Sequence, residues 1–346
     1  MRSPFIIMTI LLLSAALAFA SGAAESGDTE ESVNLYSHRH YDVDQELFER
    51  FTEETGITVN VVKAGADELL QRLRTEGANS PADLFLTADA GRLQKALEMD
   101  LLQAIDSQKL NAAVPENLRH PEGFWYGLTK RARVIAYSSE RVDPSELSTY
   151  EDLTDAKWRG RIAVRSSSNI YNQSLMASMI KAHGEEAAVE WAEGIVANMA
   201  RDPQGNDRDQ VKAVASGIAD IAIVNTYYIG LLLNSSDPEQ VKAGQAVDLY
   251  FPNQEGRGTH INISGAGVTK HAPNRENAIR LLEFLTSPEV QKVYAVENYE
   301  FPVRDDIDAE GLVGSWGEFK EDSINLSVLG DLNVEAVIGF DRAGWK

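Results

Sequence analysis

Tyr227 and Tyr228 are adjacent, and the run before them, Ala219-Asp220-Ile221-Ala222-Ile223-Val224, is apolar and partly β-branched after Ser216-Gly217. That pattern predicts a short buried parallel strand. Asn225 or Thr226 is placed to cap a new helix continuing through Ile229 and Leu231-Leu232-Leu233. Two phenols therefore fall in the first turn of a helix, beyond the carboxyl end of a strand, where open α/β sheets bind ligands. The helix dipole at that position is expected to ease loss of the phenol protons. A pair of phenolates is a hard oxygen site, suited to a hard, highly charged metal ion. Packing of both rings against the sheet is the alternative.

Two further segments repeat the design. The predicted strand 33–37 runs into a loop that delivers His40 and Tyr41, and strand 161–165 leads through Ser166-Ser167-Ser168-Asn169 to Tyr171. If the sheets are parallel, all three loops open at carboxyl edges, on a cleft between two lobes. Four phenolates and one imidazole would suit Fe³⁺ over Zn²⁺ or Cu⁺. A free phenol has a pKa of about 10, so such an ion must displace protons, and binding should weaken as pH falls. Four phenolates on Fe³⁺ leave roughly one surplus negative charge for a nearby cation to offset. Arg131 and Arg133, on a long extended segment, are the preferred candidates, with Arg165 behind them; a surface or carboxylate-paired arginine is their other reading. His38 and His260 are ordinary loop histidines by default. The serine run could hold an anion at a helix start, but capping explains it as well.

The elements that must position these residues can be read in chain order. Residues 1–20 have the pattern of a cleavable secretory signal: Arg2, an apolar core from Phe5 to Leu17, and Ala18-Phe19-Ala20 before the cut. Residues 21–32, rich in Gly, Ala, Ser and acids, read as a disordered lead-in. The 346-residue chain contains no Cys, which removes disulfides, thiolate metal sites and a lipid anchor on Cys. Its formal net charge of −21 argues against nucleic acid and anionic membranes and mildly favours a cationic ligand. Strands at 33–37, 57–62 and 81–87 alternate with helices, one starting at Asp42 in capping-box spacing with Gln45 and another capped by Asp89. Residues 124–138 are long enough to cross between lobes, and 259–269 could bring the chain back. After the crossing the strand–helix rhythm restarts at 161–165. The prediction is a two-lobed α/β fold, each lobe a mainly parallel sheet flanked by helices. The lobes comprise residues 33–130 plus 257–305 and residues 131–256 plus 306–346.

Taken together, these segments resemble the ferric-iron-binding periplasmic proteins that feed ABC importers, with the type II periplasmic binding protein fold. The likeness covers nearly all of the mature chain. It runs through His40-Tyr41, Pro81-Ala82-Asp83-Leu84-Phe85, Gly127-Leu128-Thr129-Lys130-Arg131-Ala132-Arg133, Asn225-Thr226-Tyr227-Tyr228 and His260-Ile261-Asn262-Ile263-Ser264-Gly265-Ala266-Gly267 to Ala343-Gly344-Trp345. The resemblance implies that His40, Tyr41, Tyr171, Tyr227 and Tyr228 occupy the metal-ligand positions of the branch with one histidine and four tyrosines. The glutamate of the other branch, which works with a bound anion, is replaced here by Ala88. It further implies ferric iron as transported ligand, an inner-membrane ABC importer permease as partner, a periplasmic monomer, and no enzymatic activity. No Gly-rich nucleotide loop, Gly-x-Ser-x-Gly or His-Glu-x-x-His is present. Within the same fold, an organic solute such as a polyamine, sugar or thiamine is the alternative ligand, with the tyrosines stacking on it.

Overall fold

The computed structural model describes residues 31–346. The predicted leader and nearly all of the lead-in lie outside the described residues. The first strand, β1 (Ser32–Ser37), already includes the last residue assigned to the lead-in. Val33 and Leu35, fully buried, set its register by alternation. β1 pairs in parallel with β2 (Thr58–Lys63) on one side and β3 (Leu84–Ala88) on the other. The helices Asp42–Thr55 and Ala66–Glu76 make the crossovers, each burying one apolar stripe such as Leu47, Phe48 and Phe51. Because the chain leaves β1 for β2 and then returns beyond β1 to β3, the sheet has a switch point at the carboxyl ends of β1 and β3. The loop with His40 and Tyr41 and the turn with Asp89 both lie there.

β4 (Tyr126–Ser138) is buried along its whole length and joins two sets of strands. Tyr126–Ala132 pairs antiparallel with β8 (Ile261–Val268), which itself pairs antiparallel with β3. From Arg133 to Tyr137 the partner becomes β6 (Ile221–Asn225), and Ile135–Ser138 also pairs with β7 (Val247–Tyr250). β5 (Ile162–Ala163) lies parallel beside β6. The parallel pairs are thus those announced by strand–helix alternation, and the crossing strands add antiparallel neighbours, so each sheet is mixed. β5 is shorter than the predicted 161–165 because the Arg165 carbonyl accepts from the side chains of Asn172 and Trp345 instead of continuing a ladder. The short helix Val328–Asp331 packs against both the helix Ala90–Glu98 and the helix Ile170–His183. Part of the tail predicted to belong wholly to the second lobe also reaches the first set of elements: the Asn325 amide donates to the Glu116 carbonyl.

Two predicted caps are not made. Tyr41, not Asp42, stands at the start of the helix Asp42–Thr55, and no side chain caps it; Gln45 donates to Glu49 instead. Thr226 precedes the helix Tyr227–Leu233 without capping it. Its hydroxyl accepts from the Ala132 amide and its own amide donates to the Ala132 carbonyl, so it is committed to the crossing strand. Asp89 does cap its helix, accepting from the Gly91 amide at 3.0 Å.

The loop after β1 is anchored by a buried ion cluster. Arg39 pairs with Asp44 at 3.0 Å and with Glu300 at 2.8 Å, all three almost fully shielded from water. Glu300 also accepts from Thr129 of β4 and Asn298, and Arg39 donates to Ser264 of β8. Removing one member of such a cluster strands the others without compensation, at about 3–5 kcal/mol. Glu300→Ala is expected to lower the urea midpoint by the equivalent of about 3 kcal/mol with an unchanged slope, measured by circular dichroism.

Candidate metal centre

The three loops meet. The hydroxyls of Tyr171 and Tyr227 lie 3.2 Å apart, and the Tyr41 ring meets the Tyr227 ring edge-on at 6.3 Å between centroids. Tyr227 and Tyr228 are tilted against each other at 4.2 Å, and His40 stacks on Tyr41 at 5.0 Å. All five predicted residues therefore belong to one cluster. Tyr41 comes from the β1 side and Tyr171, Tyr227 and Tyr228 from the β5–β6 side, so the cluster spans both sets of strands. Tyr171 and Tyr227 are buried, Tyr41 and Tyr228 half-buried, and His40 exposed at the edge. Adjacent residues on a helix usually point apart; here the first turn alone holds both Tyr227 and Tyr228 against the cluster, with Tyr227 facing the interior.

The acidity of the phenols runs opposite to the expectation from the helix dipole. Burial, followed by repulsion from Glu300 and the Tyr171 oxygen, pushes Tyr41 well above the ordinary phenol range. Tyr227 is raised by burial and then by Tyr171, Tyr41 and Tyr228, with Arg131 opposing. Tyr228 is raised by burial, Tyr171 and Asp207. Half a charge at a helix end, worth at most about 2 kcal/mol, does not outweigh loss of solvent around a developing phenolate. With nothing positive among them, these phenols are neutral.

Behind Tyr171 the field has the other sign. The guanidinium carbons of Arg131, Arg165 and Arg133 lie 5.1, 5.5 and 5.9 Å from its ring centroid. Period-two alternation along β4 puts Arg131 and Arg133 on one face, on either side of the point where the strand changes partner. Each of these arginines also has a carboxylate partner. Arg131 pairs with Asp89 at 3.2 Å, while Arg133 and Arg165 share the fully buried Asp207 at 3.0 and 3.2 Å. Three cations against two carboxylates leave one positive charge beside Tyr171. Burial works against the Arg131 charge, yet Asp89 and the phenols outweigh it and hold its pKa above the ordinary value. Two N–H groups of Arg131 and one of Arg133 are buried without a hydrogen-bond partner. Unpaired buried donors are costly, and negative charge on the neighbouring phenol oxygens would offset that cost.

Several residues here carry no sequence signal. Arg133 donates to Asn172, next to Tyr171, and to Asn225, two before Tyr227, so it locks both tyrosine loops. Asp207 also accepts from the Asn225 amide at 2.8 Å. Arg208 stands 5.8 Å from the Tyr228 centroid. His38 borders a cavity of about 220 Å³ with His40, Tyr41, Arg92, Arg165 and Tyr228. Its imidazole is pushed down to about 4, by burial first and then by Arg92. His260 is buried and held neutral by burial and the surrounding arginines, and its backbone carbonyl accepts from the Arg133 amide. No group of three or more His, Cys, Asp or Glu suited to a metal occurs among the described residues. The tyrosines are the distinctive donors. A larger cavity, about 470 Å³, lies elsewhere, among Phe301, Val313 and Phe319, and contains none of them.

Two sets of strands joined by crossing strands, with a polar cluster drawn from both, define a two-lobed solute-binding protein. A family model described as bacterial extracellular solute-binding protein matches residues 79–314, and the chain belongs to that family. It is 52% identical over 323 residues to iron uptake protein A1 of Synechocystis, covering 93% of this chain and 90% of that one. Among solved structures, it resembles the Trichodesmium protein IdiA (FutA) in complex with iron and citrate ligands. That match has 54% identity and a TM-score of 0.89, covering 91% of this chain and all of that chain. The ferric binding protein of Campylobacter jejuni matches at 44% identity and a TM-score of 0.86, covering 91% of this chain and 100% of that one.

The lowered acidity of these phenols has a direct readout. In protein stripped of metal, Tyr227→Phe/Tyr228→Phe is expected to leave the ultraviolet phenolate absorbance at pH about 10 unchanged, because both phenols are still protonated there. A drop in that absorbance would mean that one of them ionises as an ordinary tyrosine.

Proposed function

We propose that this chain captures ferric iron between its two lobes and delivers it to an inner-membrane ABC importer. The observation that carries this reading is the meeting of Tyr41, Tyr171, Tyr227 and Tyr228, with His40 at their edge, against a net positive arginine layer. Hard phenolate oxygens match a hard trivalent ion better than zinc or copper(I). Four phenolates on Fe³⁺ carry one surplus negative charge, which the single uncompensated positive charge of Arg131, Arg133 and Arg165 complements. Behind Tyr41 the balance is reversed, Asp44 and Glu300 outnumbering Arg39, so ionisation of Tyr41 also needs the ion itself. His40, exposed beside Tyr41, supplies the fifth donor and completes the site last.

The reading extends to residues 33–130 plus 257–305 as one lobe and 131–256 plus 306–346 as the other, closing on hinges near 127–133 and 257–265. The change of β4 partner at Ala132–Arg133 supports the first of these hinges. Export by a signal at residues 1–20 to the periplasm, a monomeric state and binding without turnover complete it. The names of the relatives, iron uptake protein and ferric binding protein, point the same way.

Purified mature protein titrated with ferric citrate is expected to develop a visible phenolate-to-iron charge-transfer band that saturates near one iron per chain. The band should vanish in Tyr227→Phe/Tyr228→Phe. A colourless protein that loses iron on desalting would overturn the reading and leave an organic solute as the ligand. The sign of the pH dependence follows from the protonated phenols. Each phenol that binds iron must release a proton, so apparent affinity falls as pH is lowered. Near neutrality, about one power of ten is lost per pH unit for each proton displaced, measurable by competition against a chelator of known protonation.

A further inference from the structure

Asp89 is a non-glycine residue with φ of 96°, in a region of backbone space that is strained and persists only when its surroundings hold it. It lies between β3 and the helix Ala90–Glu98 and is fully buried. Four donors from four segments converge on its carboxylate. One oxygen accepts from the Gly91 amide at 3.0 Å and from the Ser174 hydroxyl at 2.7 Å. The other accepts from Asn262 of β8 at 2.9 Å and from Arg131 of β4 at 3.2 Å. Two of these donors are on the crossing strands and one caps its own helix. The fourth, Ser174, belongs to the opposite lobe in the division proposed above. Ser174 follows Tyr171 by three residues on the helix Ile170–His183, on the same face. The seam continues beside it: Gln94 donates to Asp331 at 2.8 Å, and the side chain of Ile170 lies close to Gly91.

We propose that Asp89 and Ser174 form an interlobe clasp that positions Tyr171 in the closed state and slows release of the bound ion. The clasp rests on the two-lobed ferric reading above. Opening the lobes must break the Ser174 hydrogen bond, because its two partners sit on different lobes and neither is on a crossing strand. The other three bonds to Asp89 remain within the first lobe and the crossing strands. Asp89 thereby stays in place when the lobes part and is ready to accept Ser174 when they return. Its strained backbone is the cost of aiming one carboxylate at its own helix, the crossing strands and the opposite lobe. Asp89 and Ser174 are positioning residues: neither belongs to the predicted ligand set, and both act through the helix that carries Tyr171 and through Arg131.

The test is Ser174→Ala, compared with wild type in two assays. In the first, protein loaded with ferric iron is mixed with excess EDTA and loss of the visible band is followed. Release is expected to be about tenfold faster in the variant, equivalent to about 1.4 kcal/mol, with the position of the band and the rate of iron uptake unchanged. A merely structural defect would alter the band, whereas the clasp predicts an unchanged band. Ser174→Thr, which keeps the hydroxyl, should restore slow release. In the second assay, small-angle X-ray scattering of the iron-free proteins should give a larger radius of gyration for Ser174→Ala. Unchanged release together with unchanged scattering overturns the clasp. If wild type itself takes up no iron, the ferric reading falls, and scattering alone decides whether Ser174 holds the lobes together.

Discussion

Burial and mutual repulsion keep Tyr41, Tyr227 and Tyr228 protonated, while the arginines beside Tyr171 are arranged for the opposite state. The two tendencies balance only when a highly charged cation enters. A phenolate in this environment is costly without such a cation, and the buried guanidinium groups have N–H donors left unpaired without phenolates. In the ferric reading proposed above, the cluster would select by energetics as well as by donor type. A divalent ion would offset less of the cost of ionising several crowded phenols than a trivalent one.

The fold supplies this balance through a strand that changes partner. β4 serves β8 with its first half and β6 with its second, and the side chains on one face near the change are Arg131 and Arg133. Their carboxylates then come from different parts of the chain, Asp89 after β3 and Asp207 before β6. Each pair thus fixes one cation against Tyr171 while tying down a neighbouring segment. Arg39 and Glu300 perform a similar task behind Tyr41, with the opposite sign of excess charge.

The sequence carried a large part of this. Short apolar or β-branched runs bounded by turn signals located β1, β2, β3 and β6, because strand propensity is written in local sequence. The length of the extended run 124–138 foretold a crossing strand, and the tyrosines marked their cluster because each stands at or just before a helix start in the segment after a strand. Where a local signal competed with a distant partner, the distant partner won. Thr226 looked like a cap but is bound to Ala132, and Asp42 looked like a cap where Tyr41 stands at the helix start. The predicted strand 161–165 lost its end to the side chains of Asn172 and Trp345.

What the sequence determined by itself was the strand–helix order, the donor types and the positions of His40, Tyr41, Tyr171, Tyr227 and Tyr228, since these depend on neighbours a few residues away. Tertiary structure alone decided the direction of the phenol shifts, the pairing of Arg131 with Asp89 and of Arg133 with Asp207, and the reach of Ser174 to Asp89. Those depend on solvent exclusion and on contacts between residues 42 to 85 positions apart, and neither leaves a periodic trace in the chain.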